Sequence, residues 1–166
     1  EWFEMARKDG RFTQPSCYYI MESHFMLGDH KYVTENADSM YVAVSDERKP
    51  HLARIISESW LVSGDADNAR RYLDLNTQGG GQPNSRADWF FQGSVLYAVE
   101  DYKGAIDAYS MMGERRDSIG QVADYHMGYS YIQTKNKVAA MEAFKEASSL
   151  SYDANISEDA FFNWAK

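Results

Sequence analysis

Two stretches of this chain repeat one another at a fixed offset, and that self-similarity limits the fold more than any other feature. The segment opening Trp89-Phe90-Phe91-Gln92-Gly93 runs in step with the one opening Asp124-Tyr125-His126-Met127-Gly128. Gly93 and Gly128, Leu96 and Tyr131, Ala105 and Ala140, and Tyr109 and Phe144 are each 35 residues apart. Such a period is the length of one helix, turn, helix and turn. Upstream, Gly64-Asp65 follows Gly28-Asp29 by 36 residues, and Ala69 and Val33 fall in the column of Ala105 and Ala140. Small residues at Gly93 or Ser57 and at Ala69, Ala105 and Ala140 let two helix backbones approach closely. Large ones at Trp60, Trp89, Tyr109 and Phe144 fill the space on either side.

The apolar spacing and turn residues predict helices over 1–9, 15–27, 30–44, 48–63, 66–76, 86–99, 102–114, 119–134, 137–150 and 157–166. Gly28-Asp29 and Gly64-Asp65 end first helices with a residue that tolerates the left-handed region, and Ser85 followed by Asp88 has the form of a capping box. The one long polar break, residues 78–85, is read as a surface loop between stacked units, because the register resumes at Arg86 with normal spacing. No alternation of period two points to a strand.

These columns resemble the tetratricopeptide repeat, a unit of about 34 residues with Trp-x2-Leu-Gly-x2-Tyr in its first helix, Ala-x3-Phe-x2-Ala in its second and then Pro. Trp89, Gly93, Ala105 and Tyr109 carry the pattern in one unit, and Gly128, Tyr131, Ala140, Phe144 and Ala147 in the next. Ser57, Trp60, Gly64, Ala69 and Leu73 carry it more weakly, and Ile20, Gly28, Val33 and Ala37 only loosely. The Trp column holds Cys17, Ala53 and Asp124 in the other units, the Leu column contains Gln92, and the closing Pro is absent, so related helical-hairpin repeats stay open. The resemblance implies an all-α right-handed superhelical solenoid over residues 1–166. Its units would be 14–49, 50–85, 86–120 and 121–154, with partial repeats at 1–13, where Phe3 and Ala6 fit, and 155–166, where Phe161, Trp164 and Ala165 fit. Residues 159–166 also resemble stretches of large, many-repeat envelope-associated tetratricopeptide proteins of Gram-negative bacteria. That likeness implies a periplasmic or cell-envelope location, with the cytoplasm as the alternative. The chain opens at Glu1, inside what reads as an amphipathic helix, and is expected to be a piece of something longer.

Composition removes several functions. With 17 Lys and Arg against 25 Asp and Glu, a net charge of −8, the chain lacks the clustered cations that phosphate-backbone binding needs, so nucleic acid is not expected as a partner. No uncharged run reaches the roughly 20 residues of a membrane span, and no basic-then-apolar leader opens the chain. A soluble chain without direct membrane insertion is the expectation. A single cysteine, Cys17, excludes an intrachain disulfide and a thiolate-rich zinc site.

The glycines at 79–81 have no Gly-Lys-Ser or Gly-Lys-Thr after them and no strand before, so a flexible loop is expected rather than a phosphate cradle. His24, His30, His51 and His126 lack ligand spacing, and no metal or other cofactor is expected. Cys17 and His24 share a helix face in the manner of a nucleophile and base, but Cys17 occupies a core column, where a buried, inert thiol is expected. Asp65, Asp67, Glu158 and Asp159 are read as capping charges, and Asn155-Ile156-Ser157 as a turn.

A second stripe on the first helices remains, at offsets i, i+4 and i+7, rotated about 100° from the core columns. It comprises Tyr18, Glu22 and Phe25; Arg54, Glu58 and Leu61; Phe90, Ser94 and Tyr97; and Tyr125, Tyr129 and Ile132. The resemblance implies that these offsets line a concave face that takes a peptide, with tyrosines giving contact area at low entropy cost. The plainer role is packing between neighbouring first helices. The Lys, Asn and Arg of a carboxylate clamp are missing from these positions, and Glu22 and Glu58 favour a neutral or basic apolar segment. The expected function is therefore a non-catalytic protein- or peptide-binding scaffold of unidentified partner. Alternatives are the regulatory or positioning arm of an enzyme or signalling protein, or a spacer that self-associates through apolar open ends.

Overall fold

The computed structural model describes residues 2–8 and 12–166, and regular structure among them is α-helical. In chain order the helices are α1 (Trp2–Arg7), α2 (Thr13–Met26), α3 (His30–Glu35), α4 (Ala37–Ala43), α5 (Lys49–Val62) and α6 (Ala66–Gln78). They continue as α7 (Arg86–Ala98), α8 (Tyr102–Ser110), α9 (Ser118–Gln133), α10 (Lys137–Ser148) and α11 (Ala154–Trp164). Residues 1 and 9 of the expected first helix lie outside the described residues. The chain divides into two compact units, Glu1–Gln82 and Pro83–Lys166, with the division inside the polar stretch 78–85.

Each unit is built by short-range packing. In the first, α1 lies on α2, α2 on α3, α4 and α5, and α5 on α3, α4 and α6. In the second, α7 lies on α8 and α9, α8 on α9, α9 on α10 and α11, and α10 on α11. The first core is centred on Met21, Val33, Leu52, Ala53 and Ile56; the second includes Val95, Ala105, Tyr109, Ala123 and Phe144.

One turn recurs at spacings of 36, 36 and 35 residues. Gly28, Gly64, Glu100 and Lys135 all hold positive φ, at 73°, 83°, 62° and 63°. At each, the N–H groups of the left-handed residue and of its successor bond back into the last turn of the preceding helix, as in Gly28 to the Phe25 carbonyl and Asp29 to the His24 carbonyl. This is the Schellman arrangement. The successors Asp29, Asp65, Asp101 and Asn136 then cap the next helix, accepting from the N–H of Tyr32, Asn68, Gly104 and Ala139. A side-chain cap of this kind stabilises by about 1 kcal/mol.

The small columns also recur. A Cβ built on Gly93 would lie 2.6 Å from the Tyr109 ring, and one on Gly128 2.6 Å from the Phe144 ring. In the first unit Ser57 takes the same column, and its hydroxyl donates to the Ala69 carbonyl at 2.6 Å. Ala69, Ala105 and Ala140 are all buried.

Three helix boundaries differ from expectation. The helix expected over 30–44 is interrupted at Asn36, whose side-chain amide donates to the Tyr32 carbonyl at 2.9 Å and competes with the backbone ladder. The helix expected to reach 114 stops at Ser110, with Gly113 at φ 74°. The last helix begins at Ala154 rather than 157, because the Asp153 carboxylate accepts from the N–H groups of Asn155 and Ile156. Residues 155–157 are thus its first turn rather than a free turn, and Glu158 and Asp159 lie beyond the capping positions.

Two substitutions test these features. Glu100→Gly relieves a left-handed side chain and is expected to raise unfolding free energy by up to about 1 kcal/mol, the strain relieved exceeding the added chain entropy. Gly128→Ala forces a methyl group into a buried ring and is expected to cost roughly 1–3 kcal/mol. Urea titrations of the two variants check both signs.

Candidate functional site

The stripe at i, i+4 and i+7 lies on α2, α5, α7 and α9, where the 3.6-residue period brings its members to one side of each helix. In the first unit Tyr18 is buried. Its hydroxyl donates to Glu22 Oε1 at 2.8 Å and lies 2.6 Å from His51 Nδ1 on α5. The Arg48 guanidinium stands 4.5 Å over the Tyr18 ring. Burial, reinforced by the Glu22 carboxylate, pushes the Tyr18 hydroxyl up to about 12, so it stays protonated. Arg54 pairs with Glu58 at 3.0 Å, and both are partly buried. Phe25 meets the His30 ring edge-on, and Leu61 is partly buried. The two glutamates expected at the mouth of a groove are therefore engaged within the fold.

In the second unit the stripe joins successive first helices. Phe90 lies against the Tyr109 ring at 6.1 Å, and the Ser94 hydroxyl donates to the Phe90 carbonyl and accepts from Tyr109. Tyr97 on α7 stacks on His126 of α9 with centroids 4.1 Å apart. Tyr125 and Tyr129 both donate to Asp159 Oδ2 on α11, at 2.8 and 2.7 Å. Asn163 Nδ2 donates to the same oxygen at 2.9 Å. Tyr129, Tyr125 and Asn163 hold the Asp159 carboxyl below the usual carboxylate range, while burial raises both tyrosines. Ile132 is the exposed member of the stripe, at 46%.

Four participants were not foreseen: His51, His126, Asp159 and Asn163. Their signal was in the register, since Tyr18 and His51 are 33 residues apart and Tyr125 and Asp159 are 34 apart, close to one repeat. Asp159 bonds to two tyrosines instead of capping its helix. The Cys17 thiol lies in the first core, and His24 is stacked on Tyr32 at 3.6 Å with Nδ1 2.8 Å from Asp29.

Beside Ile132 opens a cleft of about 310 Å³ between the α9–α10 turn, α10 and the end of α11. Ile132, Ala140, Met141 and Phe144 form its apolar part, and lysine side chains stand around it. Among the described residues no group of three or more His, Cys, Asp or Glu is placed to hold a metal ion, and no helix is long and apolar enough to cross a membrane. Comparison with protein-family models, with curated proteins and with solved structures finds no match.

His126 gives a test of how firmly this stripe is built. Burial lowers its imidazole to about 4, against about 6.5 in an unfolded chain. The fold therefore favours the neutral ring. This contribution is complete above pH 6.5 and is lost as pH falls towards 4, amounting to roughly 3 kcal/mol. His126→Phe is expected to flatten stability over that window relative to the parent chain, measured by urea unfolding at successive pH values; parallel profiles would refute the assignment.

Proposed function

We propose that this chain is an array of tetratricopeptide-like helical hairpins, a right-handed solenoid, acting as a non-catalytic scaffold that binds a protein or peptide along the stripe on its first helices. One recurrence supports the reading most strongly. The left-handed residue and its capping successor at 28–29, 64–65, 100–101 and 135–136 end α2, α5, α7 and α9 in the same way. Two side chains can differ at such a turn, as Glu100 and Lys135 do, without changing the path of the backbone. Packing of each helix on the few that follow it within its unit supports the same architecture.

For the binding surface, the supporting features are Phe25 and Leu61 in the first unit and Tyr97 and Ile132 in the second, each the last member of the stripe on its helix. All four keep part of their surface open to solvent, whereas the tyrosines earlier in the stripe have internal hydroxyl partners. A ligand would meet ring and aliphatic surface there, with the Tyr97 hydroxyl as the polar group to satisfy. A second reading, self-association, is favoured by α11, where Phe161 and Phe162 are 56% and 57% exposed.

Capture from a lysate of the native source, with bound chains identified by mass spectrometry, tests the scaffold reading. Leu61→Asp and Ile132→Asp alter one such position in each unit, and neither residue packs against the described core clusters of its unit. Both variants are expected to melt as the parent chain does and to lose captured partners. Unchanged capture would move the binding surface elsewhere, and concentration-dependent mass without capture would favour self-association.

A further inference from the structure

The cleft beside Ile132 differs from the rest of the chain in charge. The protein has a net charge of −8, yet Lys135, Lys137 and Lys166 line this cleft and no carboxylate does among the described residues. The first two come from the fourth copy of the recurring turn. The earlier copies read Gly28-Asp29-His30, Gly64-Asp65-Ala66 and Glu100-Asp101-Tyr102, while this one reads Lys135-Asn136-Lys137. The capping acid has become a neutral amide, which still caps through Ala139, and two ammonium groups have been added.

The fold does not require either lysine. Lys135 occupies a left-handed position that glycine fills at lower cost, and Lys137 sits in the first turn of α10, where the helix dipole disfavours a cation. Neither is ion-paired with another described residue. Lys166 rests its ammonium 3.8 Å from the Phe162 ring. Below the lysines the surface is apolar: Met141 is 39% and Ile132 46% exposed, over buried Ala140 and Phe144.

We propose that this cleft is the seat of an acidic, apolar peptide segment, which places a large apolar side chain on Ile132, Met141 and Phe144 and sets flanking carboxylates against Lys135 and Lys137. The inference rests on the scaffold function and names its partner's chemistry at one end of the stripe. A volume of about 310 Å³ is at the lower end of ligand sites, fit for one or two side chains rather than for a cofactor. The apolar contact supplies affinity, and the lysines supply selectivity and salt dependence, since exposed ion pairs add little energy singly. The expected charge of the partner is thus the reverse of the neutral or basic segment that Glu22 and Glu58 suggested, because those two carboxylates are already engaged by Tyr18 and Arg54.

The test is selection of the 166-residue chain against a phage-displayed library of random dodecapeptides, followed by fluorescence anisotropy with the enriched peptides. Enriched sequences are expected to combine Asp or Glu with Leu, Phe or Trp. The double variant Lys135→Glu, Lys137→Glu, with a melting curve no lower than that of the parent chain, is expected to bind them at least roughly tenfold more weakly. Exchanging the acids of the peptide for lysines is expected to restore binding to that variant, which a merely structural role for the lysines would not do. Neutral or basic enriched peptides, or binding indifferent to charge reversal but lost on Leu61→Asp, would overturn this inference and leave the scaffold function standing. No enrichment at all would remove both. Dodecanoate binding without peptide enrichment would assign the cleft to an anionic amphiphile, and a dimer broken by the charge reversal would assign it to a second copy; either overturns the peptide.

Discussion

Tyr109 and Phe144 lie flat enough against Gly93 and Gly128 that no Cβ fits between ring and backbone, and the geometry of the second unit follows from that contact. A helix pair held at this distance buries the ring completely and leaves the first helix with a second long side to cover. In α7 and α9 that side is covered by the following first helix, through Tyr97 on His126 and through Tyr125 and Tyr129 on α11. The alanines at 105 and 140 let the second helix come equally close from its own face. Where Ser57 replaces glycine, its hydroxyl is turned onto the Ala69 carbonyl, so the approach is kept and the added polar atom is satisfied.

Polar links then tie the start of one helix to the cap of another. Arg86 at the start of α7 reaches Asp117, the cap of α9, through both terminal nitrogens. Gln121, 35 residues later, accepts at 2.8 Å from the N–H of Asp153, the cap of α11, and donates to the Leu150 carbonyl and Ser157 hydroxyl. A residue near the start of one first helix thus locates the cap of the next. In the first unit Tyr72 and Arg71 of α6 converge on Asp38 of α4. Such contacts add modest net energy, but a buried amide like Gln121 is costly to leave unpaired, which penalises other arrangements of the same helices.

Much of the local structure was legible in the sequence because it depends on near-neighbour chemistry. Gly28-Asp29, Gly64-Asp65 and Ser85 with Asp88 announced their turns and caps, and the 35-residue columns found the close contacts of Gly93 and Gly128. Glu100 and Lys135 were illegible as left-handed residues, since neither type prefers that region; only the register of the neighbouring turns marks them. The break at Asn36 depends on which acceptor an amide chooses, and the early start of α11 on a carboxylate at Asp153 that composition does not set apart from other loop acids. The stripe on the first helices was found as a pattern, but its partners were not. Asp159 satisfies Tyr125 and Tyr129 across 34 and 30 residues, and no local rule reports a bond of that length.

These pairings also decide what kind of surface the stripe can offer. A tyrosine with an unpaired hydroxyl would bring a polar group that a ligand must satisfy, and a free glutamate would draw cations. Here the Tyr18, Tyr125 and Tyr129 hydroxyls donate hydrogen bonds to Glu22 and Asp159, and Glu58 is paired with Arg54. The stripe is left nearly uncharged despite the acidity of the whole chain. Selectivity by charge must then come from side chains outside it, and the lysines of the α9–α10 turn are the cations that adjoin its exposed end at Ile132. A surface so divided separates its two tasks: the packed aromatics set how the helices of each unit lie on one another, and the turn is free to vary in charge because its backbone is held by the left-handed residue and cap whichever side chains they carry.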